Sequence, residues 1–218
     1  MIKTFFITIM DNPRSLQVAK RGVKSAQYYG INEAETWKAT VPKDDPDAIL
    51  DSKSIGKEGF DENYARRAPL IASFCSHLSL WEYSIELNES IIVCEHDAVF
   101  TGTLPPSLNS QVTHVCNIGH PSYGKWVTPA FGIGKLVSKQ YFPGAHAYVV
   151  TPTGAKGLIN GAKALGGEPN DLFINNKRFP WLQELYPWVA EAKDTFTTIQ
   201  KTKGCLAKHG YSETYDII

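Results

Sequence analysis

The chain has 218 residues, of which 43% are hydrophobic and 20% are charged, as expected for one large globular domain with a buried core. Its 22 basic and 22 acidic residues leave no net charge, so the composition does not favour binding to nucleic acid or to an anionic membrane. The four cysteines lie far apart and lack metal-type pairing, which favours a reducing, cytoplasmic location. The apolar runs are too short for a signal peptide or a transmembrane segment.

The first forty residues predict a strand, a helix and a second strand. Residues 3–9 are rich in β-branched and aromatic side chains, which favours a strand. Asn12 and Pro13 are a good N-cap and first helical residue, and the apolar periodicity that follows stops near Gly30. Residues 35–40 predict a second short strand. Many nucleotide-binding α/β folds begin this way, but so do other βαβ proteins, so this part predicts fold rather than function.

A long helix is predicted after a polar stretch. Residues 42–59 are polar and interrupted by prolines and glycines, so we expect a surface excursion there. From about residue 67 to 88 the sequence predicts a helix, with His77 at the rim of its apolar stripe and Ser76 on the other side. The stripe consists of Leu70, Phe74, Leu78, Trp81 and Ile85.

An acidic pair follows the next predicted strand. The apolar run of residues 91–94 leads directly into Glu95, His96 and Asp97. Strand alternation would point residues 95 and 97 to the same side. Paired carboxylates suit Mg²⁺ or Mn²⁺, which often bridges protein acids to substrate phosphates. Solvated acids in a turn are the simpler alternative.

The second half of the chain contains a long segment that reads as a loop. Residues 114–118 predict a strand, and residues 119–144 combine many glycines and prolines with aromatic side chains. A loop of this length favours a functional role, such as a lid or an acceptor-binding surface. Residues 145–150 then predict a strand, and a helix follows from Pro152 to about residue 164.

Several short motifs occur in a fixed order along the chain. They are the Ser76-His77 helix, the strand ending at Glu95–Asp97, the strand with His146-Ala147-Tyr148, the Gly154-Ala155 helix and Pro169-Asn170-Asp171. In this order and spacing they resemble glycosyltransferase family 25, the lipopolysaccharide-type galactosyltransferase group that also includes collagen galactosyltransferases. The resemblance covers about residues 2–199, where residues 195–199 are similar to a terminal Ser/Thr-rich piece of the family.

The resemblance implies an α/β fold of GT-A type, with a Rossmann-like mixed sheet flanked by helices in a single domain. That domain would span residues 1–200, followed by a C-terminal tail at 201–218. The implied reaction moves galactose or another hexose from a nucleotide sugar, commonly UDP-galactose, to a glycan or lipid-linked saccharide of lipopolysaccharide type. We expect inversion at the sugar and a requirement for Mn²⁺ or Mg²⁺.

The resemblance also assigns roles to individual residues. Glu95 and Asp97 match the outer acids of the family's triplet and would bind the metal, while His96 stands where the family has an aspartate. Asp171 matches the acid of the family's Pro-x-Asp motif and would be the catalytic base; an N-cap role before residues 172–174 explains it equally well.

Seven residues are candidates for donor binding. The first turn is a looser version of the family's turn, so capping also explains Asn12, and a solvated charge also explains Arg14. His77 and His146 could instead be buried core histidines. The candidates are Asp11, Asn12, Arg14, Ser76, His77, His96 and His146.

Two other functions remain open. A catalytically silent nucleotide- or carbohydrate-binding domain would explain His96 and the loose first turn. A metal-dependent phosphohydrolase could use the same carboxylates, although no additional acidic cluster is evident for a two-metal site.

Overall fold

The computed structural model describes residues 2–60, 66–193, 198 and 199. The predicted tail at 201–218 lies outside these residues. The elements, in chain order, are β1 (Lys3–Thr8), α1 (Pro13–Tyr28), β2 (Ala34–Lys38), a 3₁₀ helix (Pro42–Asp44), α2 (Pro46–Ser52), α3 (Arg67–Leu87), β3 (Ile91–Glu95), β4 (Ala98–Phe100), α4 (Leu108–Gln111), β5 (Val115–Asn117), β6 (Gly132–Lys135), β7 (Ala147–Val150), α5 (Pro152–Leu165), α6 (Asn170–Phe173), β8 (Gln183–Tyr186) and β9 (Ala190–Ala192).

Seven of the strands form one mixed sheet in the order β2-β1-β3-β7-β5-β8-β6, and β4 pairs with β9 in a separate ribbon. Strand β1 runs parallel to both β2 and β3, whereas β7 is antiparallel to β3 and β5. Beyond β5, strand β8 is parallel and the edge strand β6 is antiparallel. This architecture confirms the predicted α/β domain, in which helices flank a large mixed sheet.

The central strands are buried on both faces. Phe5 packs in a core cluster with side chains of α2, α3 and α5, whereas Phe6 packs in a second cluster with α1. Ile91 and Ile92 alternate between the two clusters in the same way. A continuous apolar run is the pattern expected of a strand covered by helices on both sides.

The predicted start of α1 is confirmed in detail. The Asn12 side chain accepts hydrogen bonds from the backbone N–H groups of Arg14 and Ser15, at 3.0 and 3.1 Å. Pro13 occupies the first helical position, where it needs no hydrogen-bond partner for its nitrogen. The first strand and helix are therefore joined by a fixed, capped turn.

Two predictions about irregular segments were incomplete. Residues 42–59 lie largely at the surface, as expected, but they also contain a 3₁₀ helix and α2, and Leu50 of α2 is completely buried. Residues 119–144 are not all loop, because β6 forms the sheet edge and Glu184 Oε1 accepts the backbone N–H groups of Val137 and Ser138. The polar and glycine-rich composition of these segments gave no local signal for α2 or β6. Both elements are stabilised by contacts with residues that are distant in the sequence.

The burial of Leu50 gives a prediction for stability. Leu50→Ala should lower the free energy of unfolding by about 2–5 kcal/mol, because it leaves a cavity between α2 and the sheet. Leu165→Ala is the matched control, since that side chain is 60% exposed at the end of α5. Urea denaturation measures both variants, and equal losses would contradict the placement of α2.

Three of the four cysteines, Cys75, Cys94 and Cys116, are unpaired and buried, and Cys205 lies outside the described residues. Within residues 2–60, 66–193, 198 and 199, no helix combines the length and apolar character needed to cross a membrane.

Candidate active site

A cleft of about 480 Å³ opens where the central parallel strands end. Ile7 of β1 and Glu95, the last residue of β3, form its floor, and α3 contributes Ser76 and His77. Residues 169–171, which are the N-cap and the first two residues of α6, form part of another wall. Ligands of open α/β sheets bind outside the carboxyl ends of the strands, so this is the expected place for a substrate.

The structure brings most of the predicted site residues into this one cleft. Asp11 and Arg14 do not line it: Asp11 pairs with Lys43 on the surface, and Arg14 is exposed in the first turn of α1. The predicted residues that line the cleft are Asn12, Ser76, His77, Glu95, His96, Asp97, His146 and Asp171.

The acidic triplet lies in a turn rather than in a strand. Strand β3 ends at Glu95, whose backbone N–H donates to the carbonyl of His146 at 2.9 Å, and residues 96 and 97 then turn into β4. The expected alternation is therefore wrong, because it requires extended backbone through residue 97. All three side chains line the cleft.

His96 links this turn to the beginning of α1. Its Nδ1 lies 3.0 Å from Ser15 Oγ, which accepts the backbone N–H of Ile9 at the same distance. The residue that replaces the family's middle aspartate thus faces the site rather than pointing away from it. This contact joins the end of β1 to the acidic turn.

Glu95 and Asp171 share the enclosed part of the cleft. Burial, together with the nearby charge of Asp171, raises the pKa of Glu95 to about 8, although its side chain remains 32% exposed. Burial also raises the pKa of Asp171, and a hydrogen bond from Tyr123 opposes this shift. The charge of Asp171 thus disfavours ionisation of Glu95, and a bound cation would relieve this repulsion.

The raised pKa of Glu95 predicts a pH-dependent gain in stability on its removal. The folded protein holds this proton more tightly than an unfolded chain does, so stability is retained below pH 4.5 and is lost as the pH rises to about 8. Without metal, Glu95→Gln should therefore raise the free energy of unfolding at pH 9 by about 1–2 kcal/mol. At pH 4 it should have little effect. Urea denaturation at both pH values measures the difference, and a gain at pH 4 alone would contradict it.

Asp171 is held by a tyrosine that the sequence did not single out. Tyr123 Oη donates to Asp171 Oδ2 at 2.7 Å. The N-cap of α6 is Pro169, so the alternative reading of Asp171 as an N-cap is wrong: the helix starts before it. Tyr123 belongs to the segment 119–144, and the aromatic content of that segment was the sequence feature that could have pointed to this residue.

The charges in the cleft are unbalanced. Glu95, Asp97 and Asp171 line it, whereas Arg66 is the sole lysine or arginine among its described lining residues. The Arg66 guanidinium also binds the backbone carbonyl of Thr198. A diphosphate would therefore need further positive charge to sit beside these acids.

The acidic residues fit a metal that is shared with a ligand. Within the part of the chain that the structure describes, no three or more His, Cys, Asp or Glu side chains are grouped to hold a metal ion. Mg²⁺ and Mn²⁺ commonly use one or two protein carboxylates and complete their coordination with substrate phosphates and water. Glu95 and Asp97 match that donor set in chemistry and number.

His77 is buried under the acidic turn. Its side chain is 1% exposed, and burial lowers its pKa to about 3, so the imidazole is neutral. Nδ1 lies 2.9 Å from Tyr148 Oη, and Nε2 lies 3.5 Å from Glu95 Oε1. The prediction that His77 reaches the site agrees with this position, although the residue is far more buried than its place at the rim of the stripe suggested.

His146 and Ser76 are held tightly in the cleft wall. A Cβ added at Gly119 would come within 2.6 Å of His146 Nε2, so the ring in this position requires that glycine; one at Gly144 would crowd Nδ1 at 3.1 Å. Ser76 Oγ accepts the backbone N–H of Thr40 at 2.9 Å and thereby ties α3 to the segment after β2. Both side chains therefore shape the cleft.

Comparison with known proteins gives a family match over part of the chain. The model of a family described as glycosyltransferase family 25 (LPS biosynthesis protein) matches residues 52–132, which include α3, the acidic turn and Tyr123. No curated protein matches the sequence. His146 and Asp171 lie outside the matched range. The match confirms the resemblance to glycosyltransferase family 25 over these residues and supports glycosyltransferase activity.

Proposed function

We propose that this protein is a metal-dependent, inverting glycosyltransferase that takes galactose or another hexose from a UDP-sugar. The acceptor would be a glycan or a lipid-linked saccharide of lipopolysaccharide type. The observation that carries the proposal is the single cleft in which Glu95, Asp97 and Asp171 meet with one arginine. The buried, unpaired cysteines support the cytoplasmic location expected from the sequence.

Glu95 and Asp97 would hold Mn²⁺ or Mg²⁺ together with the diphosphate of the donor. When bound, the metal supplies positive charge that stabilises the leaving nucleoside diphosphate. Arg66, at the rim of the same cleft, adds a further positive charge. The three acids alone would repel a diphosphate, which is why the charge balance favours metal dependence.

Asp171 would act as the general base. In an inverting transfer the acceptor oxygen bonds to the anomeric carbon while the bond from that carbon to the diphosphate oxygen breaks, and the acceptor hydroxyl loses its proton. The hydrogen bond from Tyr123 Oη to Asp171 Oδ2 orients the carboxylate that would receive this proton. The raised pKa of Asp171 strengthens it as a base.

One observation favours the silent binding domain as a second candidate. His96 lies in the cleft where the family has an acid, so the cleft has one carboxylate fewer for a hard cation such as Mg²⁺. The phosphohydrolase hypothesis gains no comparable support, since the described residues contain no cluster of three or more His, Cys, Asp or Glu side chains that could hold a metal.

Incubation with a panel of nucleotide sugars, Mn²⁺ and candidate saccharides tests the proposal. We expect release of nucleoside diphosphate together with sugar transfer, and loss of both when EDTA removes the metal. Donor binding without turnover would support the binding domain. Phosphate release without sugar selectivity would support the phosphohydrolase.

A further inference from the structure

A buried chain of polar groups runs from the core to the acidic turn. Trp81 Nε1 donates to Tyr148 Oη at 2.8 Å, and Tyr148 Oη lies 2.9 Å from His77 Nδ1. Trp81, Tyr148 and His77 are all buried. Such groups are costly to bury without partners, so the chain fixes the protons along it.

The donors and acceptors in this chain determine the tautomer of His77. The indole of Trp81 has only a donor, so Tyr148 Oη must accept that hydrogen bond. If Tyr148 Oη also accepted from His77, its own hydrogen would be buried without a partner among the described residues. Donation from Tyr148 Oη to His77 Nδ1 satisfies both groups, so Nδ1 is assigned as the acceptor. A neutral imidazole that accepts at Nδ1 carries its hydrogen on Nε2.

The Nε2–H group of His77 faces the acidic turn. Nε2 lies 3.5 Å from Glu95 Oε1 and makes no hydrogen bond within the described residues, although it is buried. His77 and Glu95 both line the cleft. A buried donor that lacks a partner costs about 1–3 kcal/mol, so a small movement of Glu95 toward it would be favourable.

We propose that Trp81 and Tyr148 are positioning residues that fix His77 as an Nε2–H donor, and that His77 then orients the Glu95 carboxylate. This inference rests on the proposed function, in which Glu95 binds the metal with the donor diphosphate. The other tautomer would direct an Nδ1–H group at Tyr148 Oη and leave the phenolic hydrogen without an acceptor among the described residues. Hydrogen bonds of this kind to metal-binding carboxylates commonly change metal affinity 10- to 100-fold.

Tyr148→Phe is the most informative variant, because it removes only the hydroxyl group. NMR of ¹⁵N-histidine-labelled protein reports the tautomer, and the His77 signals are identified by their loss in His77→Gln. We expect Nε2–H alone in the wild type and a mixture of tautomers in Tyr148→Phe. Glu95→Gln should shift the Nε2 signal of the wild-type tautomer.

A second pair of variants tests whether a hydrogen-bond donor at position 77 is needed for metal binding. Gln at position 77 can still present an N–H to Glu95, whereas Met of similar size cannot. His77→Met and Tyr148→Phe should each weaken Mn²⁺ affinity in the presence of UDP by about 10-fold, and His77→Gln should retain most of it. A purely structural role would make the two His77 variants equal in Mn²⁺ affinity at equal stability.

Three results would overturn the inference: an Nδ1–H tautomer in the wild type, unchanged Mn²⁺ affinity in Tyr148→Phe, or equal affinity in the two His77 variants. The failure of the proposed function has a separate signature. A wild-type protein without Mn²⁺-dependent donor turnover would refute that function and the role of His77 in it, even if NMR shows the Nε2–H tautomer.

Discussion

Asp97→Asn should reduce Mn²⁺-dependent donor turnover by about 100-fold or more, the loss expected when a major charge contact to the transition state is removed. Asp97 lies in the turn after β3 and lines the cleft with Glu95. The amide is close in shape to the carboxylate but lacks its charge, so metal binding should fail while the fold persists. Release of UDP at saturating donor, with thermal unfolding measured alongside, checks both statements.

Asp11→Asn is the matched control for this change. Asp11 makes an exposed ion pair with Lys43 outside the cleft, and such pairs contribute little to stability. Its turnover should stay within about 2-fold of the wild type, since an exposed pair contributes roughly 0–1 kcal/mol. Full activity of Asp97→Asn would overturn the metal assignment.

Asp171→Asn should lower kcat by about 10²–10⁴-fold, the usual contribution of a general base. The donor should bind with nearly unchanged affinity, because Asp171 is assigned to the acceptor hydroxyl. Tyr123→Phe keeps the carboxylate but removes its 2.7 Å hydrogen bond, so we expect a smaller loss of kcat. Steady-state kinetics with varied donor and acceptor separate the two effects.

The kinetic constants can also contradict the assignment of the base. If Asp171→Asn weakened donor affinity and left kcat unchanged, Asp171 would be a donor-binding residue. If Tyr123→Phe lost more activity than Asp171→Asn, the tyrosine would be the more important proton-transfer group. Equal thermal unfolding of both variants is the control for folding.

Local sequence patterns predicted most of the architecture. The Asn12 cap, the apolar stripe of α3 and the run at 91–94 each have a local physical cause: capping, helical periodicity or burial on both faces. The parts that escaped prediction depend on pairing between distant residues. Strand β6 forms because β8 lies beside it, and Leu50 of α2 is buried because α2 packs against α3.

The site was predicted only in part, because some of its residues are brought together by contacts between distant parts of the chain. Eight of the ten candidate residues line the cleft, because motifs at strand ends converge wherever the strands are adjacent. Tyr123 and Arg66 were not predicted, since only the tertiary structure brings Tyr123 to Asp171 and Arg66 into the same cleft. Strand alternation failed at His96 because β3 ends one residue before it.

Titration of Mn²⁺ with and without UDP, followed by electron paramagnetic resonance of the free ion, tests the central claim most directly. The described acids form no group of three that could hold the ion alone, so the diphosphate should complete its coordination. Saturating UDP should tighten Mn²⁺ binding by at least about 10-fold in the wild type, and this coupling should disappear in Asp97→Asn. Mn²⁺ affinity that is unchanged by UDP, or unchanged by the loss of Asp97, would contradict the shared metal-diphosphate site.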